Sequence, residues 1–146
     1  MNNTKDFYNG MNDLYEKAMK ENYNIEFNDF VSPITVIAIH GGGIEGGTTE
    51  VARELSKLGK YKFFSFKGLI DDELDSSENL KLHVTSNKFT NKMCMDMIVD
   101  SCSVISIHGA DESNELTYVG GRNYLHKEFI KYELKLAGFE VPNKIR

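Results

Sequence analysis

The sequence predicts an α/β fold in which a mixed, mostly parallel sheet is flanked by helices. Short apolar runs rich in β-branched and aromatic residues alternate with longer stretches of helical periodicity along the chain. This alternation is typical of strand–helix–strand crossovers, which place helices on the faces of a sheet. In such sheets the functional crevice lies beyond the carboxyl ends of the strands.

The first predicted helix covers residues 10–21, where apolar side chains recur at helical spacing with charged residues between them. Residues 34–39 follow as a buried strand, because they are rich in β-branched residues and apolar on both faces. Residues 48–58 predict a second helix, whose start Thr48 or Thr49 can cap.

The aromatic-rich run at 61–68 and the alternating run LKLHVTS at 80–86 predict the second and third strands. Residues 91–100 predict a helix with a methionine-rich apolar face. Residues 104–109, VISIHG, predict a fourth strand that ends in His-Gly.

The last part of the chain predicts a short fifth strand over residues 116–121 and a helix over residues 122–138. One side of this helix carries apolar residues at helical spacing, which indicates a buried face. These residues are Leu125, Phe129, Tyr132 and Leu136.

The composition is that of a globular protein with one core. The chain has 146 residues, 40% of them hydrophobic, so we expect a single domain over residues 1–146 and a monomer. The net charge of −5 provides no basic field for nucleic acid or anionic lipid, so neither is an expected partner. The polar N-terminus lacks the apolar core of a signal peptide, and a cytoplasmic location is expected.

Two predicted strands end in the same dipeptide, His-Gly. His40 follows the strand at 34–39, and His108 lies at the end of the strand at 104–109. Because the carboxyl ends of parallel strands meet at one edge of a sheet, the two imidazoles are expected on the same edge.

The glycine-rich stretch HGGGIEGGTTE at 40–50 admits three interpretations. A phosphate-binding loop requires a lysine before its Ser or Thr, and here Gly47 precedes Thr48. An esterase oxyanion loop requires a G-x-S-x-G nucleophile, which the sequence lacks. A metal site fits better, because His40 and Glu45 supply an imidazole and a carboxylate from one flexible turn. His108 is the expected third ligand, and His83 competes with it.

The segments HGGGIEGGTTEVA, FSFKG, LHVTSNKF, VISIHG and YVGGRNYL, in this order, resemble the phage-type poly-γ-glutamate hydrolases and their bacterial relatives. The resemblance covers residues 8–142 and implies a core similar to that of zinc carboxypeptidases. It implies a Zn²⁺ ion held by His40, Glu45 and His108, and a poly-γ-glutamate or γ-glutamyl peptide substrate.

The implied reaction is hydrolysis of γ-glutamyl amide bonds in a polymer that some bacilli make as capsule or mucilage, by an enzyme of phage or prophage origin. For a cytoplasmic enzyme of this kind, lysis of the host is the expected route of release. Arg122 is a candidate for binding substrate carboxylates, because its planar fork suits bidentate contacts. His83 is a second candidate for substrate contact.

The resemblance also implies a difference at the C-terminal end. Relatives continue past the segment that corresponds to GFEV into a strand with Gln-Leu-Glu, whose glutamate corresponds to the general base. We therefore expect the chain to lack that portion, and its general base is unknown. Two alternatives stay open: a zinc- or ligand-binding remnant with impaired catalysis, and a zinc hydrolase of another amide or ester.

Overall fold

The structure is a computed structural model that describes residues 6–70, 76–111 and 113–143. These residues divide into two compact units, of which the first ends at Gly109 and the second begins at Ala110. The single domain expected over residues 1–146 stays a prediction.

The first unit contains one four-stranded sheet with the strand order β1-β3-β2-β4. The central strand β2 is parallel to β3 and to β4, whereas the edge strand β1 is antiparallel to β3. The predicted mixed, mostly parallel sheet is therefore confirmed. Its helices and strands are α1 (Met11–Lys17), β1 (Tyr23–Phe27), β2 (Ile34–Gly42), α2 (Thr48–Gly59), β3 (Lys62–Gly68), α3 (Lys92–Val99) and β4 (Ser103–Ser106).

The two faces of β2 pack into two separate cores, as expected for a buried strand that is apolar on both faces. Ile37 and Ile39 belong to a large core that includes residues of α1 and α3. Val36 and Ala38 pack in a smaller core with Ala52 of α2. Both cores lie beside the part of β2 that precedes His40, so the backbone leading to this histidine is held on both sides.

Two predicted strands are absent from the described residues. Residues 76–82 and 86–88 form 3-10 helices, so the strand predicted over 80–86 is wrong. The alternating pattern nevertheless identified core residues, because Leu82 and Val84 are both buried. Of the strand predicted over 116–121, only one bridge forms, between Leu116 and Glu140.

The start of α2 also differs from the prediction. The capping residue is Gly47 in a left-handed conformation, and no side chain caps the helix. The Thr48 hydroxyl instead donates to the Glu45 carbonyl oxygen at 2.8 Å, and Thr49 shares a hydrogen bond with Ser65. These two hydrogen bonds therefore join the first turn of α2 to the turn that contains Glu45 and to β3, and neither of them caps the helix.

The second unit contains α4 (Tyr124–Leu136), which confirms the last predicted helix. The Asn123 side chain caps it by accepting a hydrogen bond from the His126 amide. Its predicted apolar face is exposed in this structure, since Leu125 and Phe129 are 78% and 65% accessible. Within the described ranges, we find no helix with the length and hydropathy needed to cross a membrane.

Candidate metal centre

His40 lies in a local irregularity of the central strand. The register between β2 and β3 shifts between Ala38 and Gly41, so one extra residue of β2 has to be accommodated there. Such bulges change the direction in which a side chain points. Ile39 packs in the large core, and the adjacent His40 reaches the same side, where its Nε2 lies 2.9 Å from the Val84 carbonyl oxygen.

Glu45 lies in the turn between β2 and α2, with its carboxylate directed back toward the strand. Its amide donates to the His40 carbonyl oxygen at 2.8 Å, which closes the turn. One carboxylate oxygen lies 3.0 Å from His40 Nδ1, and the other accepts from the Gly109 amide at 2.8 Å. Burial alone would raise the pKa of this carboxyl, but hydrogen bonds from His108, His40 and Gly109 hold it well below its usual range.

The glycines after His40 allow the backbone of the turn to lie close to α2 and β3. A Cβ atom at Gly41 would overlap the hydroxyl groups of Thr49 and Ser65. Gly42 has a φ angle of +63° and lies directly against the backbone of Gly68, so a side chain there would be strained and crowded.

His108 follows β4 by two residues and is more accessible than His40. Its side chain is 38% exposed, and its Nδ1 lies 3.5 Å from the second carboxylate oxygen of Glu45. Its Nε2 lies 3.0 Å from the hydroxyl oxygen of Ser106. The rings of His40 and His108 are 5.1 Å apart at an angle of 63°. The expectation that the two imidazoles share one edge of the sheet is confirmed.

The arrangement therefore places two imidazole Nδ1 atoms on either side of one carboxylate. In each imidazole the other nitrogen, Nε2, has its own hydrogen-bond partner, the carbonyl of Val84 for His40 and the hydroxyl of Ser106 for His108. This is the pattern that metal-binding histidines commonly show, since a hydrogen bond to one nitrogen fixes the tautomer and directs the other at the ion.

His83 lies against the same site from the irregular segment between the two 3-10 helices. Its ring stacks on that of His40, with a centroid separation of 4.1 Å and an angle of 30°. One potential ligand atom from each of His40, Glu45 and His83 lies within 4.8 Å of the others. Burial and the neighbouring His40 lower the pKa of His83, and Asp6 opposes this effect.

The structure brings four of the five predicted site residues together, in the first unit. The fifth, Arg122, is exposed and belongs to the second unit.

Sequence reasoning missed three contributors to the site: the Val84 carbonyl, the Ser106 hydroxyl and Asp6. A backbone carbonyl carries no residue-specific signal, and Asp6 lies 77 positions from the His83 that it contacts. Ser106 could have been found, because it lies two residues before His108 in an exposed strand.

Comparison with known proteins identifies one family. The family model described as poly-gamma-glutamate hydrolase matches residues 8–146. Two curated relatives from Bacillus subtilis (strain 168) are the UPF0714 protein YndL and the SPbeta prophage-derived UPF0714 protein YoqZ. They are 38% and 37% identical to the chain over 92% and 93% of its length. The chain spans about half the length of these relatives, 51% of YndL and 47% of YoqZ.

Two solved structures have the same fold. The zinc-free apo form of YndL matches 97% of the chain with a TM-score of 0.87 and 35% identity. A bacteriophage poly-gamma-glutamate hydrolase matches 96% of the chain with a TM-score of 0.86 and 30% identity. The matched regions are 68% and 66% of those two chains, respectively.

Proposed function

Because the chain belongs to the poly-gamma-glutamate hydrolase family, we propose that it carries the metal centre of a zinc-dependent hydrolase that cleaves γ-glutamyl amide bonds in poly-γ-glutamate. The observation that carries the proposal is the pair of Nδ1 atoms, from His40 and His108, on either side of the Glu45 carboxylate. Two histidines and one carboxylate are the protein ligands of several catalytic zinc sites, which keep a further position open.

The choice of third ligand depends on ring orientation as well as distance. Proximity alone favours His83, whose potential ligand atom lies within 4.8 Å of those of His40 and Glu45. However, an ion has to lie in the plane of each imidazole at about 2.0–2.1 Å from its nitrogen. Two stacked rings only 30° apart in angle have planes that run side by side, so their lone pairs do not converge there. We therefore assign His108 and not His83 as the third ligand.

A bound zinc ion would polarise the scissile carbonyl and lower the pKa of a water molecule from about 15.7 toward about 7. The residues of the chain provide the geometry. Val84 and Ser106 hold the Nε2 atoms of the two histidines, so that both Nδ1 atoms are directed at one point. The Gly109 amide holds Glu45 through one carboxylate oxygen. The low pKa of Glu45 keeps this ligand ionised at neutral pH.

Substrate contacts are a second part of the proposal. His83 borders the site and is one-quarter exposed, so it is available to a bound polymer. Arg122 stays a candidate for binding a glutamyl carboxylate. No general base is assigned among the residues that the structure describes.

The test compares polymers that differ only in linkage. Zinc-loaded protein is incubated with poly-γ-glutamate or with poly-α-glutamate, and polymer length is followed by gel filtration. We expect shortening of the γ-linked polymer alone, and no shortening by the Glu45→Gln variant. Zinc binding without any shortening would favour the binding remnant. Shortening of the α-linked polymer, or of an ester, would favour a hydrolase with another substrate.

A further inference from the structure

We infer that Asp6 is a positioning residue for the metal centre, through the segment 83–85 that holds His40. The inference rests on the proposed function, because it concerns the same metal-binding imidazole. It assigns a role to a residue near the N-terminus that contacts no metal ligand directly.

Asp6 is almost fully buried and makes four polar contacts. Its side chain is 2% exposed. One carboxylate oxygen lies 3.2 Å from His83 Nδ1 and accepts from the Thr85 amide at 2.9 Å and the Thr85 hydroxyl at 2.8 Å. The other accepts from the Lys88 ammonium group at 3.1 Å. Three of these contacts are to the residues immediately before and after Val84.

Val84 links this anchor to the metal centre. Its carbonyl oxygen lies 2.9 Å from His40 Nε2, and its side chain is buried in the large core. The segment from His83 to Thr85 belongs to neither of the flanking 3-10 helices, and backbone hydrogen bonds join only its two ends to them, at His83 and at Thr85. A buried carboxylate that contacts both neighbours of Val84 further constrains the segment. The direction of the Val84 carbonyl, and with it the orientation of the His40 ring, depends on Asp6.

The second effect of Asp6 concerns His83. Burial alone would raise the pKa of Asp6, but hydrogen bonds from Thr85, Lys88 and His83 lower it, so the carboxylate is ionised and accepts. His83 then donates through Nδ1, which fixes the ring in its stacked position on His40. Asp6 thus restrains the His40 ring in two ways, by the carbonyl in its plane and by the ring stacked on its face.

The experiment compares Asp6→Ala with the matched control Asp13→Ala in the full 146-residue chain. Asp13 also accepts from a backbone amide and pairs with a lysine, but it lies on α1 and contacts no part of the segment 83–85. Zinc affinity is measured by competition with a chelator, and ligand geometry by the visible absorption of bound Co²⁺. The free energy of unfolding of each metal-free variant is measured with urea.

We expect Asp6→Ala to weaken zinc binding by about tenfold and to change the Co²⁺ spectrum, because outer-sphere partners commonly contribute 10–100-fold. Asp13→Ala should leave both unchanged. If Asp6→Ala does not fold, Thr85→Val, which removes only the hydroxyl contact, should shift the Kd for zinc in the same direction by less. Unchanged zinc affinity and an unchanged Co²⁺ spectrum in Asp6→Ala, or in Thr85→Val where it takes its place, with reduced stability, would overturn the inference.

The outcomes also separate this inference from the proposed function. If the wild-type chain binds no zinc, or if His40→Ala retains it, the proposed metal centre is wrong and the inference fails with it. If zinc binding depends on His40 but not on Asp6, only the inference fails.

Discussion

The two His-Gly strand ends have the same sequence and very different surroundings. The His40 side chain is 3% exposed, lies at a bulge in the central strand and contacts a buried carbonyl. The His108 side chain is 38% exposed, follows the edge strand β4 and contacts the hydroxyl of Ser106, the last residue of that strand. Both reach the same carboxylate, that of Glu45.

The two histidines would both bind the proposed metal, but only His40 also supports the fold. His40 contributes to the fold and to the site at once, because its ring fills a buried position and satisfies the Val84 carbonyl. His108 is positioned by short-range contacts and can be replaced without disturbing a core. We therefore expect the two ligands to be equally necessary for zinc and unequally necessary for stability.

The largest expected effect on stability is that of His40→Ala. Removing the ring leaves the Val84 carbonyl without its partner in a buried position, which costs about 1–3 kcal/mol. His108→Ala should change the free energy of unfolding by less than about 0.5 kcal/mol, as is usual for accessible side chains. Urea unfolding of the metal-free variants measures both. Equal destabilisation by the two substitutions would show that His40 contributes no more to the fold than His108 does.

The glycines that follow the two histidines are expected to differ in the same way as the histidines. In Gly41→Ala the added Cβ would overlap two buried hydroxyl groups, and overpacking of this kind costs about 1–3 kcal/mol. In Gly109→Ala the added Cβ would lie 3.1 Å from Glu45 Cβ, so the turn that carries this metal ligand would have to move by a few tenths of an ångström. We expect the first variant to lose thermal stability in calorimetry, and the second to lose mainly zinc affinity. A larger loss of stability in Gly109→Ala than in Gly41→Ala would show that the glycine after His108, and not the one after His40, matters more for the fold.

The smallest expected effect is that of Ser106→Ala, which removes the partner of His108 Nε2. Loss of an outer-sphere hydrogen bond should raise the Kd for zinc by about tenfold without unfolding the chain. Ser103→Ala, at the start of the same strand, is the matched control. Calorimetric titration with zinc measures both variants, and equal affinities in the two would show that the Ser106 contact does not orient the ring.

Much of the fold was predictable from local pattern. The strand that leads to His40 and the helix after it were identified because a continuous apolar run and a helical period differ clearly. The run at 80–86 was misread, because alternation places Leu82 and Val84 in the core whether the backbone is a strand or a 3-10 helix. The edge strand β1 was missed although YNIEF alternates between apolar and polar residues, because a run of only five residues gives a weak pattern.

The candidate site was predictable in its side chains and not in their support. Two His-Gly ends and a glutamate across a glycine turn indicated which groups converge at the edge of the sheet. The bulge at His40, the carbonyl of Val84 and the contacts of Asp6 depend on register and on long-range packing, which a single sequence does not encode locally. The sequence indicated His108 as the expected third ligand and His83 as its competitor. Ring orientation, on which our choice between them rests, is likewise not encoded locally.

The zinc content of two single variants tests whether His40, Glu45 and His108 form the proposed metal centre. Zinc per chain is determined by elemental analysis after dialysis of the wild type, His108→Ala and His83→Ala. The account predicts about one zinc per chain in the wild type and in His83→Ala, and a sharp loss in His108→Ala. Loss of zinc from His83→Ala together with retention in His108→Ala would contradict the account and make His83 the third ligand.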